Sequence, residues 1–283
     1  MTEDLRDRPI GVFDSGMGGL TVMRALMARL PQESFIYLGD TARLPYGSKS
    51  ADTVTRYAVQ CARALTVHRI KLLVVACNTA SATALPALTA TLAPIPVIGV
   101  IEPGAEAAVA AAPQGRIAVI ATEGTVKGGA YMRAIHTRSP RAAVSQQACP
   151  LFVALAEEGL TDGPIAELVA RRYLDPLLEN SAARPECLVL GCTHFPALTD
   201  VIARVAGADI TLVDSAATTA AAVERLLSQN GLAHTKNPAA PPRFLATDAP
   251  ERFARVGEIF LGQKIPSEAV ELVDLQQLGS TRG

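Results

Sequence analysis

Ile10-Gly11-Val12-Phe13-Asp14-Ser15-Gly16 and Ile117-Ala118-Val119-Ile120-Ala121-Thr122-Glu123-Gly124 carry one pattern twice: an apolar, β-branched run that ends in a hydroxyl residue and glycine. A second pair follows at similar distance. Leu73-Val74-Val75-Ala76-Cys77-Asn78-Thr79 is matched by Leu188-Val189-Leu190-Gly191-Cys192-Thr193-His194, and Pro-Ala-Leu lies downstream of both. Further strand candidates at Phe35–Asp40, Val97–Ile101 and Ile210–Asp214 alternate with helical patterns. One such pattern is the stripe Val54, Tyr57, Ala58, Cys61, Ala62, Leu65, which repeats at helical spacing and predicts a helix packed on a sheet. The chain therefore reads as α/β, with mostly parallel sheets in two related halves that each carry one cysteine.

A chain of 283 residues reaches the size at which single cores tend to split, so two domains are expected. The first is placed at residues 1–98 plus 212–283 and the second at 99–211. The boundary falls beside the alanine-rich Glu102–Gly115, and the tail, with a proline-rich connection at Pro238–Pro242, completes the first domain. A hydrophobic content of 49% against 19% charged residues supplies buried cores, and a net charge of −1 with scattered basic residues argues against nucleic acid as a partner. No apolar stretch is long enough for a membrane span or signal peptide. The five cysteines are widely spaced and odd in number, which predicts free thiols in a reducing cytoplasm.

In open α/β sheets ligands bind beyond the carboxyl ends of strands, where all four repeated segments put their polar residues. Cys77 and Cys192 stand there, at strand-to-helix turns whose N–H groups favour a thiolate, with His194 two residues past Cys192. A lone cysteine is more often a small buried hydrophobe. That reading suits Cys61 on its apolar stripe, Cys187 at a strand start and Cys149 before Pro150. Asp14-Ser15-Gly16-Met17-Gly18-Gly19 imitates a dinucleotide fingerprint, with Asp40 as the ribose-binding acid, but Thr21 replaces the third glycine and Asp14 would repel a pyrophosphate. A zinc site of Cys77, Cys192 and His194 fits no common ligand spacing, so no metal is expected. The loop Thr41–Ser50 reads equally as a surface turn or a substrate-facing segment.

Four motifs together resemble the glutamate racemases of the aspartate/glutamate racemase superfamily: Phe13 to Gly19, Leu44-Pro45-Tyr46-Gly47-Ser48-Lys49, Ala76-Cys77-Asn78-Thr79-Ala80-Ser81 and Gly191-Cys192-Thr193-His194-Phe195-Pro196. The resemblance implies two pseudo-symmetric α/β domains with the site between them and neither cofactor nor metal. It implies that Cys77 is the base for D-glutamate and Cys192 the base for L-glutamate, with Asp14 assisting the first and His194 the second. Glu157, in Cys149–Gly159, would orient His194, although Ala154 and Ala156 stand where bulkier residues are expected. Ser15, Pro45, Tyr46, Gly47, Asn78, Thr79, Thr122 and Thr193, with Asp14 and His194, would bind substrate.

Racemisation needs two acid/base groups on opposite faces of a planar carbanion, which two facing half-sites supply. The resemblance further implies a bacterial cytoplasmic enzyme supplying D-glutamate for peptidoglycan. A homodimer is expected, although no stretch of the sequence specifies the oligomeric state. Aspartate is the rival substrate, one methylene shorter. A binding protein using the fold without catalysis, such as a partner of DNA gyrase, is the rival class, and the presence of both cysteines argues against it.

Overall fold

The computed structural model describes residues 4–179, 184–234 and 240–275. Its ten strands are β1 (Ile10–Asp14), β2 (Phe35–Gly39), β3 (Leu72–Val75), β4 (Val97–Gly99), β5 (Arg116–Ala121), β6 (Ala143–Ala148), β7 (Cys187–Gly191), β8 (Thr211–Asp214), β9 (Arg243–Ala246) and β10 (Val270–Leu272). They form a six-stranded sheet, β10-β9-β2-β1-β3-β4, and a four-stranded sheet, β6-β5-β7-β8. Every pairing among the described residues is parallel. Continuous apolar runs suit such strands, because helices cover both faces.

The order 2-1-3-4 of the first sheet recurs as 6-5-7-8 in the second. The register agrees residue by residue: Ile10 pairs with Leu72 and Phe13 with Val75, as Ile117 pairs with Cys187 and Ile120 with Leu190. The repeat read from the sequence is thus a repeat of fold, and Cys77 and Cys192 lie at equivalent points. The expected return to the first domain at 212 is too early, because β8 hydrogen-bonds to β7 and belongs to the second sheet. After it, β9 and β10 extend the first sheet along β2. Part of Pro238–Pro242 lies outside the described residues.

Alternation along the strands sorts the side chains. Phe13, Leu73 and Val75 face one apolar cluster with the helix Ala51–Thr66, whose predicted stripe is buried except for the half-buried Tyr57. Ile10, Val12, Leu72 and Val74 face a second cluster that continues into the other sheet through Ile117, Val119, Leu188 and Leu190. Helices Leu20–Arg29, Ile101–Ala111 and Ser215–Gln229 contribute to it, so the two sheets share one core. Glu102–Gly115 is chiefly the second of these helices, and it accepts Pro103 in its first turn, where an intrahelical N–H bond is not needed. Among the described residues no helix is long and apolar enough to cross a membrane.

Candidate active site

In each sheet the chain lays down one strand, steps to one side and returns on the other, so the order reverses between β1 and β3 and between β5 and β7. Crevices form at such points. The carboxyl ends of these four strands line one small cleft with Ser15, Cys77, Asn78, Thr79, Thr122, Cys192, Thr193 and His194, and the loop residues Pro45, Tyr46 and Gly47 complete it with Val153. Asp14 and Glu157 stand behind this lining.

Cys77 caps the helix Asn78–Thr83, and its Sγ accepts from the Ala80 N–H at 3.4 Å and lies 3.5 Å from Ser15 Oγ. The expected thiolate does not follow. Burial, reinforced by the charge of Asp14, pushes the Cys77 thiol up to about 12, against the pull of Ser15 and the Ala80 N–H. The helix is only six residues long, and its terminus does not offset the loss of water around the sulfur. Asp14 is fully buried, with Oδ2 accepting from the Gly16 N–H at 3.0 Å, and burial raises its carboxyl above the usual range while His194 pulls the other way.

Cys192 does not share the helix-capping setting expected of it. Past β7 comes a short 3-10 turn, Phe195–Leu198, opened by His194. The Cys192 Sγ lies instead 3.8 Å from His194 Nδ1, and His194 Nε2 lies 3.1 Å from Glu157 Oε1. Arg252 donates to Glu157 Oε2 at 2.8 Å, which completes a line of four groups from the surface to the thiol. Burial works against a charged imidazole here, but the contacts to Cys192 and Glu157 prevail and hold His194 up at about 10. Glu157 in turn is held below the usual carboxylate range by His194 and Arg252, despite burial. Phe260 packs edge-on against the His194 ring at 5.0 Å.

The loop joins the two halves. Tyr46 is buried and donates its hydroxyl to Asp40, which also accepts from Arg43 Nε at 2.8 Å and Thr247 Oγ1 at 3.0 Å. Asp40 thus anchors the loop instead of meeting a ribose. A Cβ on Gly47 would approach Thr122 Cβ to 2.8 Å, and the Thr122 hydroxyl lies 2.9 Å from that of Thr79 and 3.0 Å from that of Thr125. Asn78 Oδ1 accepts from the Tyr131 hydroxyl at 2.8 Å.

Sequence reading missed Gly18, Thr21, Tyr131, Val153 and Arg252. A Cβ on Gly18 would lie 2.5 Å from His194 Cε1 and Nδ1, so only glycine lets the imidazole reach its place. Thr21, where a third glycine was sought, directs its hydroxyl to the carbonyls of Gly18 and Thr193, at 2.9 and 3.0 Å. That substitution was the available signal. Cys61, Cys149 and Cys187 are buried as expected, and Cys61 Sγ also meets Arg43 Nη2 at 3.4 Å. Among the described residues no three His, Cys, Asp or Glu side chains gather as metal ligands.

The sequence profile of the Asp/Glu/hydantoin racemases matches residues 10–223. A glutamate racemase of Geobacter metallireducens is 52% identical over 258 residues, covering 91% of this chain and 94% of the relative. The crystal structure of Francisella tularensis glutamate racemase in complex with D-glutamate agrees with a TM-score of 0.87 at 40% identity, over 96% of this chain and 99% of that one. The Escherichia coli glutamate racemase, solved with L-glutamate and the activator UDP-MurNAc-ala, agrees at 0.77 and 30% identity over 94% and 98% of the two chains. With its repeated strand order and a cysteine at each equivalent strand end, the chain belongs to the Asp/Glu/hydantoin racemase family.

Proposed function

We propose that this chain interconverts L- and D-glutamate by passing the α-proton between substrate and two thiols, Cys77 and Cys192, with neither cofactor nor metal. The observation that carries the reading is the placement of two buried thiols at register-equivalent ends of β3 and β7, lining one cleft. Removing the α-proton leaves a planar carbanion, and a group on each face can take one proton and return another. The two halves supply one group each. Cys77 is held protonated in the unliganded cleft, which is the state required to deliver a proton while Cys192 takes one from L-glutamate. D-Glutamate requires the reverse assignment.

Asp14 sits behind Cys77 and reinforces the burial that keeps it protonated, whereas His194, steadied by Glu157, serves Cys192. Ser15, Pro45, Tyr46, Gly47, Asn78, Thr79, Thr122 and Thr193, with Asp14 and His194, are the substrate-binding set, and all but Asp14 line the one cleft. Burial of Asn78, Thr79, Thr193 and His194 excludes water from them and strengthens their polar contacts with the developing negative charge. The domains that meet there are residues 1–98 with the tail beyond β8, and 99–214. The named relatives, all glutamate racemases, support glutamate over aspartate. The chain is further read as a cytoplasmic enzyme that supplies D-glutamate for peptidoglycan, and the presence of both cysteines ranks catalysis above any gyrase-binding role. The chain is read as a homodimer.

The test follows ellipticity and α-proton exchange of L-glutamate in deuterium oxide, with no added cofactor, for wild type, Cys77→Ala and Cys192→Ala. Racemisation by wild type and a loss of about 10³-fold or more in each variant are expected, since a positioned acid or base contributes roughly 10²–10⁴-fold. Faster exchange of aspartate would overturn the substrate, and activity surviving in either variant would overturn the two-thiol mechanism.

A further inference from the structure

Asn78 lines the cleft, is almost completely buried, and has its Oδ1 committed to the Tyr131 hydroxyl at 2.8 Å. Its Nδ2 is buried and has no hydrogen-bond partner in the protein. Leaving such a donor unpaired destabilises the empty cleft, and the cost is offset when a ligand oxygen fills the place. Tyr131 comes from the other half of the molecule, on the helix Ala130–Arg138. Its ring fits between two glycines: a Cβ on Gly104 would lie 3.2 Å from Tyr131 Cε1, and one on Gly191 would lie 3.1 Å from Cε2. The ring is fully buried, and burial raises the phenol well above its ordinary range, so the hydroxyl stays protonated and stays a donor. A side-chain amide can present either its oxygen or its nitrogen, and because Asn78 Oδ1 is the only acceptor that the Tyr131 O–H meets among the described residues, the orientation that satisfies that O–H leaves the nitrogen for the ligand.

We infer that Tyr131 is a positioning and specificity-determining residue: by holding Asn78 Oδ1, it turns the amide Nδ2 toward a substrate carboxylate and rejects the opposite amide orientation, which would face that carboxylate with an oxygen. The inference rests on the proposed glutamate racemase activity. It assigns Tyr131 no part in proton transfer. Its effect falls on binding and on the choice between a carboxylate and an uncharged amide.

The experiment measures kcat and KM for L- and D-glutamate in wild type, Tyr131→Phe, Asn78→Ala and the double variant, with glutamine and the α-amide of glutamate as competitive probes. Tyr131→Phe is expected to raise KM about tenfold, to change kcat less than threefold, and to narrow the preference for glutamate over one of the two amides. In the Asn78→Ala background the same change is expected to add less than twofold. Asn78→Asp keeps the Tyr131 contact and reverses the group presented to the ligand, so it is expected to raise KM more than Tyr131→Phe does. This variant decides the matter if Tyr131→Phe fails to fold. Active wild type with KM and amide preference unchanged in Tyr131→Phe, effects of Tyr131→Phe and Asn78→Ala that multiply independently, or wild-type KM in Asn78→Asp would each overturn the inference alone. Wild type inactive on glutamate would overturn the function and the inference together.

Discussion

The surroundings of Cys77 and Cys192 are built on the same strand order, yet they carry opposite charge. Where the first half has Asp14 at the end of β1, the second has Ala121 at the end of β5; where the second half has His194, the first has Thr79. Cys77 therefore shares a dry pocket with a buried carboxylate and a hydroxyl, and holds its proton tightly. Cys192 stands beside an imidazolium backed by Glu157 and Arg252. The repeated fold supplies two thiols at equivalent strand ends, and the difference at two positions gives them different charged partners.

The largest test of that difference removes the cation. His194→Gln is expected to lower kcat/KM by about 100-fold, within the range of a positioned acid/base group, and equally in both directions. The enantiomers have equal free energy in water, so no variant can favour one direction in kcat/KM. Loss in one direction only would point to a different reaction. Gly18→Ala should follow, at about tenfold or more, because its Cβ would press on His194 at 2.5 Å and move it off Cys192. Alkylation of Cys77, measured by mass spectrometry, should keep its wild-type pH dependence in that variant.

Asp14→Asn sharpens the other side. Removing a negative charge that raises the Cys77 thiol should bring its apparent pKa down from about 12, seen as faster alkylation of Cys77 at mildly alkaline pH. An unchanged profile would place the cause in burial alone. The smallest effect is on stability. His194 is raised in the folded state from 6.5 to about 10, so its protonation stabilises the fold in full below about 6.5, and that contribution is lost as pH rises through about 10. Thermal midpoints of wild type should fall more steeply over that interval than those of His194→Gln.

The strands that carry the site were legible in the sequence because parallel, doubly covered strands read as unbroken apolar runs. The edge strand β6 was not. Its Ser145, Gln146 and Gln147 are polar, and its residues are exposed or half-buried, so hydrophobic patterning has little to report there. At the site, Cys77, Cys192 and His194 announced themselves through the repeat, whereas the hold of Asp40 on Tyr46 and Arg43 left no mark in the spacing. The protonation of Cys77 was illegible because it depends on how fully the folded cleft excludes water. Gly18 and Thr21 escaped notice for a related reason: their partners, Thr193 and His194, lie far along the chain.

The matched register of β3 and β7 has a geometrical consequence for the substrate. Two halves made of L-amino acids can be related by rotation but never by reflection, whereas the two forms of the substrate are mirror images. A two-fold axis lying in the plane of the carbanion exchanges its faces, and so can carry one thiol onto the other. The same rotation would also exchange two of the three different groups bonded to the α-carbon. Symmetry can therefore govern the thiols and must fail at the residues that hold those groups. The repeat departs from identity at such places: Asn78 stands at the position equivalent to Thr193, and Thr79 at that equivalent to His194.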